Sequence, residues 1–261
     1  TLFRSDGQVS VCNLSSLNYK KHLDENGDID YSQLTKTIRS TIEMLDNVID
    51  VNFYPIKDAK ISNELHRPIG LGTMGFHDIL HAKKLAYESD ESVKLANELQ
   101  EFVCYNAYDS SIELANTRGT FQTYDNSSWV KGLFPHELLS CHTGKTAVSR
   151  MNWEELRQKL ANYGIRNASI VAIAPNATIS YITGCEQSIE PNYSALFVYS
   201  TLSGEFIMAN EWLVKECKER GIWNQSLVEA LKQTDGDVEK IVGFPQDLVN
   251  RFKTAFAIDY H

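Results

Sequence analysis

Apolar residues recur at every third or fourth position along several stretches of the chain, which is the pattern of helices that bury one face. One such stretch predicts a helix of about 20 residues that starts near Ser32. Its predicted buried face carries Leu34, Ile38, Ile42, Leu45 and Ile49. Another stretch predicts a long helix over residues 92–116 that ends at Gly119. A third stretch, with Asn152 as its cap, predicts a short helix that ends near Gly164.

The C-terminal part of the chain has the same helical pattern. Ser203 is expected to cap a helix that ends at Gly221. The apolar residues of this predicted helix are Phe206, Ile207, Trp212, Leu213 and Cys217. Short helices are predicted after it, whereas residues 120–150 have the Ser, Asn, Thr and His content of loops.

Two segments have the patterns of strands. Residues 8–14 alternate between apolar and polar side chains, and residues 168–174 form a mostly apolar run that ends at Pro175. Since strands and helices alternate along the chain, the sequence favours an α/β layer or barrel over a helical bundle.

Composition narrows the class of protein. The 261 residues allow one or two domains, if a domain has about 150 residues. A hydrophobic fraction of 43% excludes a disordered chain, and no run approaches the about 20 apolar residues of a membrane span. We therefore expect no membrane partner. The net charge of −9 makes a nucleic-acid polymer an unfavourable partner, although backbone N–H groups can still hold a small anion.

Five cysteines are widely spaced along the chain: Cys12, Cys104, Cys141, Cys185 and Cys217. Their odd number and the absence of a C-x-x-C motif argue against a disulfide scaffold and against a zinc ribbon. The pair Cys141-His142 has no second ligand pair at metal spacing, so we predict no metal site. Reduced thiols in a cytoplasmic protein are the expectation. Taken alone, Cys12 and Cys185 are most simply small core residues.

Residues 70–75 have the spacing G-x-G-x-x-G, which is found in dinucleotide-binding folds. Those folds need an apolar strand directly before the first glycine and an acidic residue at the end of a second strand. Residues 63–68 are not strand-like, and neither are the residues that lead to Asp90. The pattern therefore favours close packing at a strand-to-helix junction over NAD binding.

A phosphate site is suggested by the segment Pro175, Asn176, Ala177, Thr178, Ile179 and Ser180. It follows a predicted buried strand, and its residues are small or hydroxylated. A turn that leads into a helix leaves N–H groups unpaired, and such groups suit a phosphate. The alternative is a turn in which the Thr and Ser hydroxyls bond to their own backbone.

Several segments together resemble the large subunit of ribonucleotide reductases. Residues 11–18 (VCNLSSLN) resemble the strand that carries one redox-active cysteine, and residues 67–72 (RPIGLG) resemble a later glycine segment. Residues 173–180 (IAPNATIS) resemble the phosphate-binding loop, and residues 184–191 (GCEQSIEP) resemble the segment just downstream. They occur in the order of that family and at similar separations, which makes the set much more specific than any one match.

The resemblance implies a fold and a domain organisation. The family has an α/β catalytic barrel of ten strands made from two half-barrels, and this chain matches the C-terminal half. Residues 1–261 would then form a partial catalytic barrel domain, without the N-terminal half-barrel, the radical-cysteine loop and the C-terminal tail. A half-barrel leaves sheet edges and an apolar face exposed, so a partner polypeptide is expected.

The resemblance also implies a reaction, which replaces the ribose 2′-OH of a ribonucleoside diphosphate with hydrogen. A thiyl radical takes the 3′ hydrogen, and a pair of thiols supplies the reducing equivalents and becomes a disulfide. Cys12 matches one thiol of that pair, and Pro175, Asn176, Ala177, Thr178, Ile179 and Ser180 match the cradle for the substrate phosphates. The glycine segment is thereby assigned to barrel packing.

No cofactor is expected on this chain. Class I, which the chain resembles most, uses a small subunit whose metal site generates the radical. The chain has Ala177 where some members carry Glu, a form shared with adenosylcobalamin-dependent class II members, so the class stays open. Thioredoxin or glutaredoxin would be the reductant. The radical cysteine motif N-x-C-x-E and the class I tyrosine pair are both absent from this sequence.

The sequence therefore leads to the hypothesis of a C-terminal part of a ribonucleoside-diphosphate reductase catalytic subunit. It would be a product of a split gene or a trimmed piece, cytoplasmic, and active only with the complementary N-terminal catalytic fragment. The alternative is a non-catalytic module for nucleotide-phosphate binding or interaction, derived from the same barrel.

Overall fold

The computed structural model describes residues 7–138, 149–202 and 204–259. Its strands are β1 (Leu14–Asn18), β2 (Gly70–Met74), β3 (Leu196–Thr201) and β4 (Gly204–Ala209). The first helices are α1 (Tyr31–Val51), α2 (Lys57–His66), α3 (Phe76–Ala82) and α4 (Asp90–Arg118). The later ones are α5 (Trp153–Tyr163), α6 (Ala177–Thr183), α7 (Glu211–Glu219), α8 (Gln225–Gln233) and α9 (Gln246–Arg251). The mixed α/β class is confirmed.

The chain folds as two compact units. Unit 1 takes the described parts of Thr1–Leu17, Asp30–Thr73 and Asn97–Ala174. Unit 2 takes the described parts of Asn18–Ile29, Met74–Ala96 and Pro175–His261. Each unit is therefore assembled from stretches that are distant in sequence.

Helix α1 provides much of the core of unit 1, and the prediction for it is confirmed. The five apolar residues predicted to line one face are all buried: Leu34, Ile38, Ile42, Leu45 and Ile49. Asp30 caps the helix by accepting a hydrogen bond from the Gln33 amide at 2.8 Å. The long helix α4 and the Asn152-capped helix α5 are also found where the sequence predicts them.

The paired strands of unit 1 differ in part from the prediction. The segment 8–14 was expected to be a strand, but β1 begins only at Leu14, so that prediction is wrong for the residues before it. Asn13 still contributes a carbonyl, which accepts a hydrogen bond from the Gly70 amide at 2.9 Å. The predicted strand 168–174 is an extended segment whose Val171 forms a parallel bridge with Leu71 of β2. Pairing over so few residues is too short for a regular strand.

A buried ionic cluster joins four segments of unit 1: helix α1, the residue after α2, the end of α4 and residues 166–167. The Asp46 carboxylate is fully buried and accepts hydrogen bonds from Arg67 Nε at 2.8 Å and Asn167 Nδ2 at 3.0 Å. Its other oxygen pairs with Arg118 at 3.2 Å and Arg166 at 3.3 Å. Because several donors converge on one buried charge, removing that charge is expected to destabilise the cluster.

Unit 2 has a core between its C-terminal helices, lined by Leu213, Cys217, Leu227, Leu231, Val238, Leu248 and Phe252.

The predicted helix from Ser203 to Gly221 is wrong in its first half. Residues 196–201 and 204–209 pair as the antiparallel strands β3 and β4, and the helix begins only at Glu211. Asn210 caps it by accepting from the Leu213 amide at 3.0 Å. Ser203 itself lies outside the described residues. Phe206 and Ile207 point to opposite faces of a strand, although their spacing from Trp212 also fits a helix.

Candidate functional site

The predicted phosphate segment forms a tight turn followed by a short helix, all within unit 2. Asn176 has a left-handed backbone with φ 58°, and α6 follows directly at Ala177. Pro175, Ala177, Thr178 and Ile179 are exposed. The first amides of a helix have no acceptor in a preceding turn, so this end of α6 presents N–H groups beside exposed side chains.

Ser180 differs from the other predicted site residues because its side chain is buried. Its hydroxyl donates to the Ala177 carbonyl at 3.4 Å, and its amide donates to the Asn176 carbonyl at 3.1 Å. Ser180 therefore stabilises the first turn of α6, and its hydroxyl is not presented to solvent. Ser180 thus fits the alternative prediction, in which a hydroxyl of the turn bonds to the backbone of the same turn.

Two side chains from the N-terminal part of unit 2 hold the far end of α6. Asn18 Nδ2 donates to the Thr183 carbonyl at 3.3 Å, and Lys20 Nζ donates to the Gly184 carbonyl at 2.8 Å. Gly184 has φ 71°, the left-handed conformation that ends many helices. Donors and a positive charge at a helix C-terminus satisfy its unpaired carbonyls and are favourable to the helix dipole.

The segment after α6 lies against the start of α3. The Gly75 amide donates to the Glu186 carbonyl at 2.7 Å, and the Glu186 amide donates to Asp78 Oδ2 at 2.6 Å. Gly75 has φ 81°, and a Cβ at this position would lie 3.3 Å from the Cys185 Cβ. This glycine of the G-x-G-x-x-G pattern therefore serves a turn and a close approach.

The Asp78 carboxylate is buried and receives hydrogen bonds from several directions. Trp212 Nε1 donates to its Oδ1 at 2.8 Å, and Lys20 Nζ lies 3.6 Å from the same oxygen. Lys20 also contacts Glu211. Burial and the neighbouring Asp78 raise the pKa of Glu186 to about 7.

Two histidines of α3 lie next to this carboxylate pair. The rings of His77 and His81 stack with centroids 4.1 Å apart, and both are buried. The surrounding donors and acceptors determine the orientation of the Asn192 side-chain amide. Its nitrogen lies 3.0 Å from both Glu186 carboxyl oxygens, and its oxygen lies 3.2 Å from His81 Nε2. Burial lowers the pKa of His77 to about 4 and that of His81 well below its usual value. Both rings are therefore neutral at pH 7.

Sequence reasoning did not connect Lys20, Asp78, Glu186 and Trp212. Glu186 lies in one of the quoted motifs, whereas the other three come from distant stretches that share no spacing pattern. Only the fold brings them together, so no sequence signal could have identified the group.

Cys12 lies in unit 1, in an irregular exposed segment just before β1. The expectation that it is a small core residue on a strand is therefore wrong. Cys104 and Cys185 are half-buried and Cys217 is buried, and all of these are free thiols. Burial raises the pKa of the Cys185 thiol. Cys141 lies outside the described residues.

A separate cavity of about 140 Å³ lies in unit 1, with Glu101, Cys104, Tyr108, His136 and Trp153 among its lining residues. None of the predicted site residues lines it.

Within residues 7–138, 149–202 and 204–259, no cluster of three or more His, Cys, Asp or Glu side chains could hold a metal ion. The same part of the chain contains no helix long and apolar enough to cross a membrane.

Comparison with known proteins identifies the family. A family model described as "Ribonucleotide reductase, barrel domain" matches residues 1–261. The chain belongs to the ribonucleotide reductase barrel-domain family. The resemblance found in the motifs is thereby confirmed.

Named relatives of this barrel-domain chain come from bacteria and eukaryotes. The "Ribonucleoside-diphosphate reductase subunit alpha" of Chlamydia muridarum is 43% identical over 263 residues, which cover 98% of this chain and 25% of the relative. The large chain of Schizosaccharomyces pombe is 34% identical over 256 residues, with 98% and 31% coverage. The large subunit of Danio rerio is also 34% identical, with 98% and 32% coverage. The chain thus spans a quarter to a third of these relatives.

Proposed function

We propose that this chain is part of the catalytic barrel of a ribonucleoside-diphosphate reductase large subunit and contributes to the reduction of ribonucleotides to deoxyribonucleotides. The observation that carries the proposal is the family match over residues 1–261, together with relatives that bear this name at 43% and 34% identity. A class I-like member fits these relatives best.

The proposed fold is the C-terminal half of a ten-stranded α/β barrel. The parallel bridge between β2 and Val171 supports this, because a barrel of this kind is built from parallel strands. The N-terminal half-barrel, the radical-cysteine loop and the C-terminal tail would be supplied by other parts of the enzyme. The coverage of only 25–32% of the relatives' lengths is consistent with that division.

The proposed chemistry uses Cys12 as one thiol of a redox pair whose other thiol is not on this chain. A thiyl radical outside the chain takes the 3′ hydrogen of the ribose, and the 2′-OH leaves as water. The two thiols give up two electrons and two protons and become a disulfide, and the 3′ hydrogen is then returned. The exposure of the Cys12 side chain supports access by a substrate and by a reductant.

The proposed substrate contact is the segment 175–180. The segment from Pro175 to Ile179 would approach the diphosphate through the backbone N–H groups that follow the proline and through the Thr178 hydroxyl, while Ser180 holds the turn from inside. A backbone cradle of this kind lets a chain with a net charge of −9 bind an anion without a basic patch.

Apolar side chains on the β3–β4 hairpin support a protein partner. Val198 and Ile207 form a pair on one face and are 57% and 62% exposed. On the other face, Phe206 and Met208 are 49% and 47% exposed. A two-stranded hairpin has little stability of its own in water, and apolar patches of this kind mark interaction surfaces. The proposed partner is the complementary N-terminal catalytic segment.

The remaining partners follow from the family. A small subunit with a metal site would generate the radical, or adenosylcobalamin would do so if the protein is of class II. A ribonucleoside diphosphate is the proposed substrate, thioredoxin or glutaredoxin the reductant, and the cytoplasm the compartment. The chain itself is proposed to hold no cofactor and to bind neither a nucleic-acid polymer nor a membrane.

Reconstitution tests the proposal. The chain is mixed with the complementary segment and the small subunit, and deoxynucleotide formation is measured for wild type, Cys12→Ser and Cys104→Ser. We expect turnover in the wild-type mixture, its loss in Cys12→Ser, and retention in Cys104→Ser, whose thiol has no proposed role. Bound diphosphate without turnover in any mixture would instead favour the non-catalytic module.

A further inference from the structure

The side chains of Asp78 and Glu186 lie near the end of α6, and Asp78 has more hydrogen-bond donors around it than Glu186. Asp78 is 2% exposed at its side chain and faces the Trp212 indole, the Glu186 amide and the Lys20 ammonium. Three donors around one carboxyl group are the surroundings of a carboxylate ion. Among the described residues, the donor that approaches the Glu186 carboxyl group is neutral, the Asn192 amide nitrogen.

Lys20 is a cation that lies beside Asp78, and several acceptors share it. It contacts Asp78, it contacts Glu211 of α7, and its ammonium donates to the Gly184 carbonyl. The other titratable groups around Glu186 are the Cys185 thiol, which is beside it in the chain, and the His77 and His81 rings, which face it through Asn192. Both rings are neutral at pH 7 and supply no positive charge.

We propose that Glu186 is a positioning residue, and that loss of its carboxyl proton weakens the hold of Lys20 on the end of α6. The effect of Glu186 on substrate binding depends on the proposed role of residues 175–180. The structural part of the inference stands on the contacts between Lys20, Asp78, Gly184 and Glu186.

The direction of the effect follows from the charges. Ionised Glu186 adds a third carboxylate around Lys20 and attracts the ammonium away from the Gly184 carbonyl. The last turn of α6 then loses a cation at its C-terminal end, where a cation is favourable. The added negative charge also disfavours an anion bound at the start of the same short helix. Since burial and Asp78 raise the pKa of Glu186 to about 7, both effects fall near neutral pH.

Amide hydrogen exchange of the full chain tests the structural part. Protection factors of the Ser180, Gly184 and Cys185 amides are measured between pH 6 and pH 8 in wild type and in Glu186→Gln, which mimics the protonated carboxyl group. The matched control is Glu229→Gln, which removes an exposed carboxylate of unit 2. We expect protection to fall with rising pH in wild type and in the control, by at most about tenfold per pH unit. In Glu186→Gln it should stay level.

A second variant separates this effect from general damage to the fold. Lys20→Met removes the cation, so protection of the same amides should be low at every pH and insensitive to Glu186. Equal pH dependence in wild type and Glu186→Gln would overturn the proposal. A Glu186 carboxyl NMR signal that titrates at the ordinary value of a glutamate would overturn it as well.

Binding of ADP, used as a nucleoside diphosphate probe, tests the effect on substrate. We expect the dissociation constant of wild type, relative to that of Glu186→Gln, to rise several-fold between pH 6 and pH 8. An unchanged ratio would contradict the link to the site. Absence of ADP binding in all variants would contradict the phosphate-binding role of residues 175–180, and the exchange measurement would still decide the role of Glu186.

Discussion

Gly72 and Ala172 approach each other backbone to backbone. A Cβ placed on Gly72 would lie 2.5 Å from the Ala172 carbonyl oxygen and 3.2 Å from the Ile173 Cα. Only a glycine fits where two extended segments come this close. The spacing G-x-G-x-x-G is therefore explained by packing within unit 1 at Gly72 and by a turn at Gly75, and it needs no dinucleotide.

Replacing Gly72 by alanine is expected to destabilise unit 1 by about 1–3 kcal/mol, because the backbone of residues 172–173 has to move. Gly70→Ala is the matched comparison. A Cβ on Gly70 would meet the Leu14 Cδ2 at 2.6 Å, and the end of a leucine side chain can rotate away. Urea unfolding of the two variants measures the difference. A larger loss for Gly70→Ala would contradict this account.

Asp46→Asn is expected to lower the free energy of unfolding by about 3–5 kcal/mol, because a neutral amide replaces the fully buried carboxylate on which Arg67, Arg118 and Arg166 converge. Asp50 also pairs with Arg67, at 2.7 Å, but its side chain is 56% exposed. Asp50→Asn should therefore cost about 1 kcal/mol or less. Chemical denaturation at neutral pH provides both values, and similar losses in the two variants would show that burial of Asp46 does not matter.

Acidification is expected to destabilise unit 2 through its buried histidines. His77 and His81 are neutral in the fold because burial lowers their pKa, to about 4 for His77, whereas an exposed histidine has a pKa of 6.5. The unfolded chain thus binds protons that the folded chain does not, and stability falls as the pH drops from 6.5 toward 4. The loss is at most about 1.4 kcal/mol per pH unit for each ring.

The variant that checks the histidine effect is His81→Phe, which keeps an aromatic ring against Phe252, at a centroid distance of 4.5 Å in the native structure. It removes one titrating group, so its free energy of unfolding should change less between pH 6.5 and pH 5 than that of wild type. Identical slopes for the two proteins would rule out His81 as a source of the acid sensitivity.

Asn176→Val is expected to distort the turn before α6, since a β-branched residue is strained by about 1–2 kcal/mol at a φ of 58°. Asn176→Gly adopts the same backbone without strain. ADP affinity and exchange of the α6 amides should therefore fall in the valine variant and be better retained in the glycine variant. Equal behaviour of both would assign the effect to the asparagine side chain.

Local patterns predicted local structure well. The face of α1 and the cap of α5 were identified because helix periodicity and a cap are properties of neighbouring residues. The predicted helix from Ser203 failed because Phe206 and Ile207 fit a helical spacing and are paired instead across a hairpin. The group of Lys20, Asp78 and Glu186 could not be predicted, because hydrogen bonds between distant stretches leave no mark in the spacing of residues.

The division of the chain into two units limits how recombination can exchange parts of its gene. Six stretches alternate between the units, so the chain passes from one unit to the other five times. Three passages, after Leu17, Thr73 and Ala174, fall at or next to the carboxyl ends of β1, β2 and the segment 168–174. No single cut in the gene yields either unit intact. Recombination at one breakpoint can therefore not exchange one whole unit and leave the other unchanged.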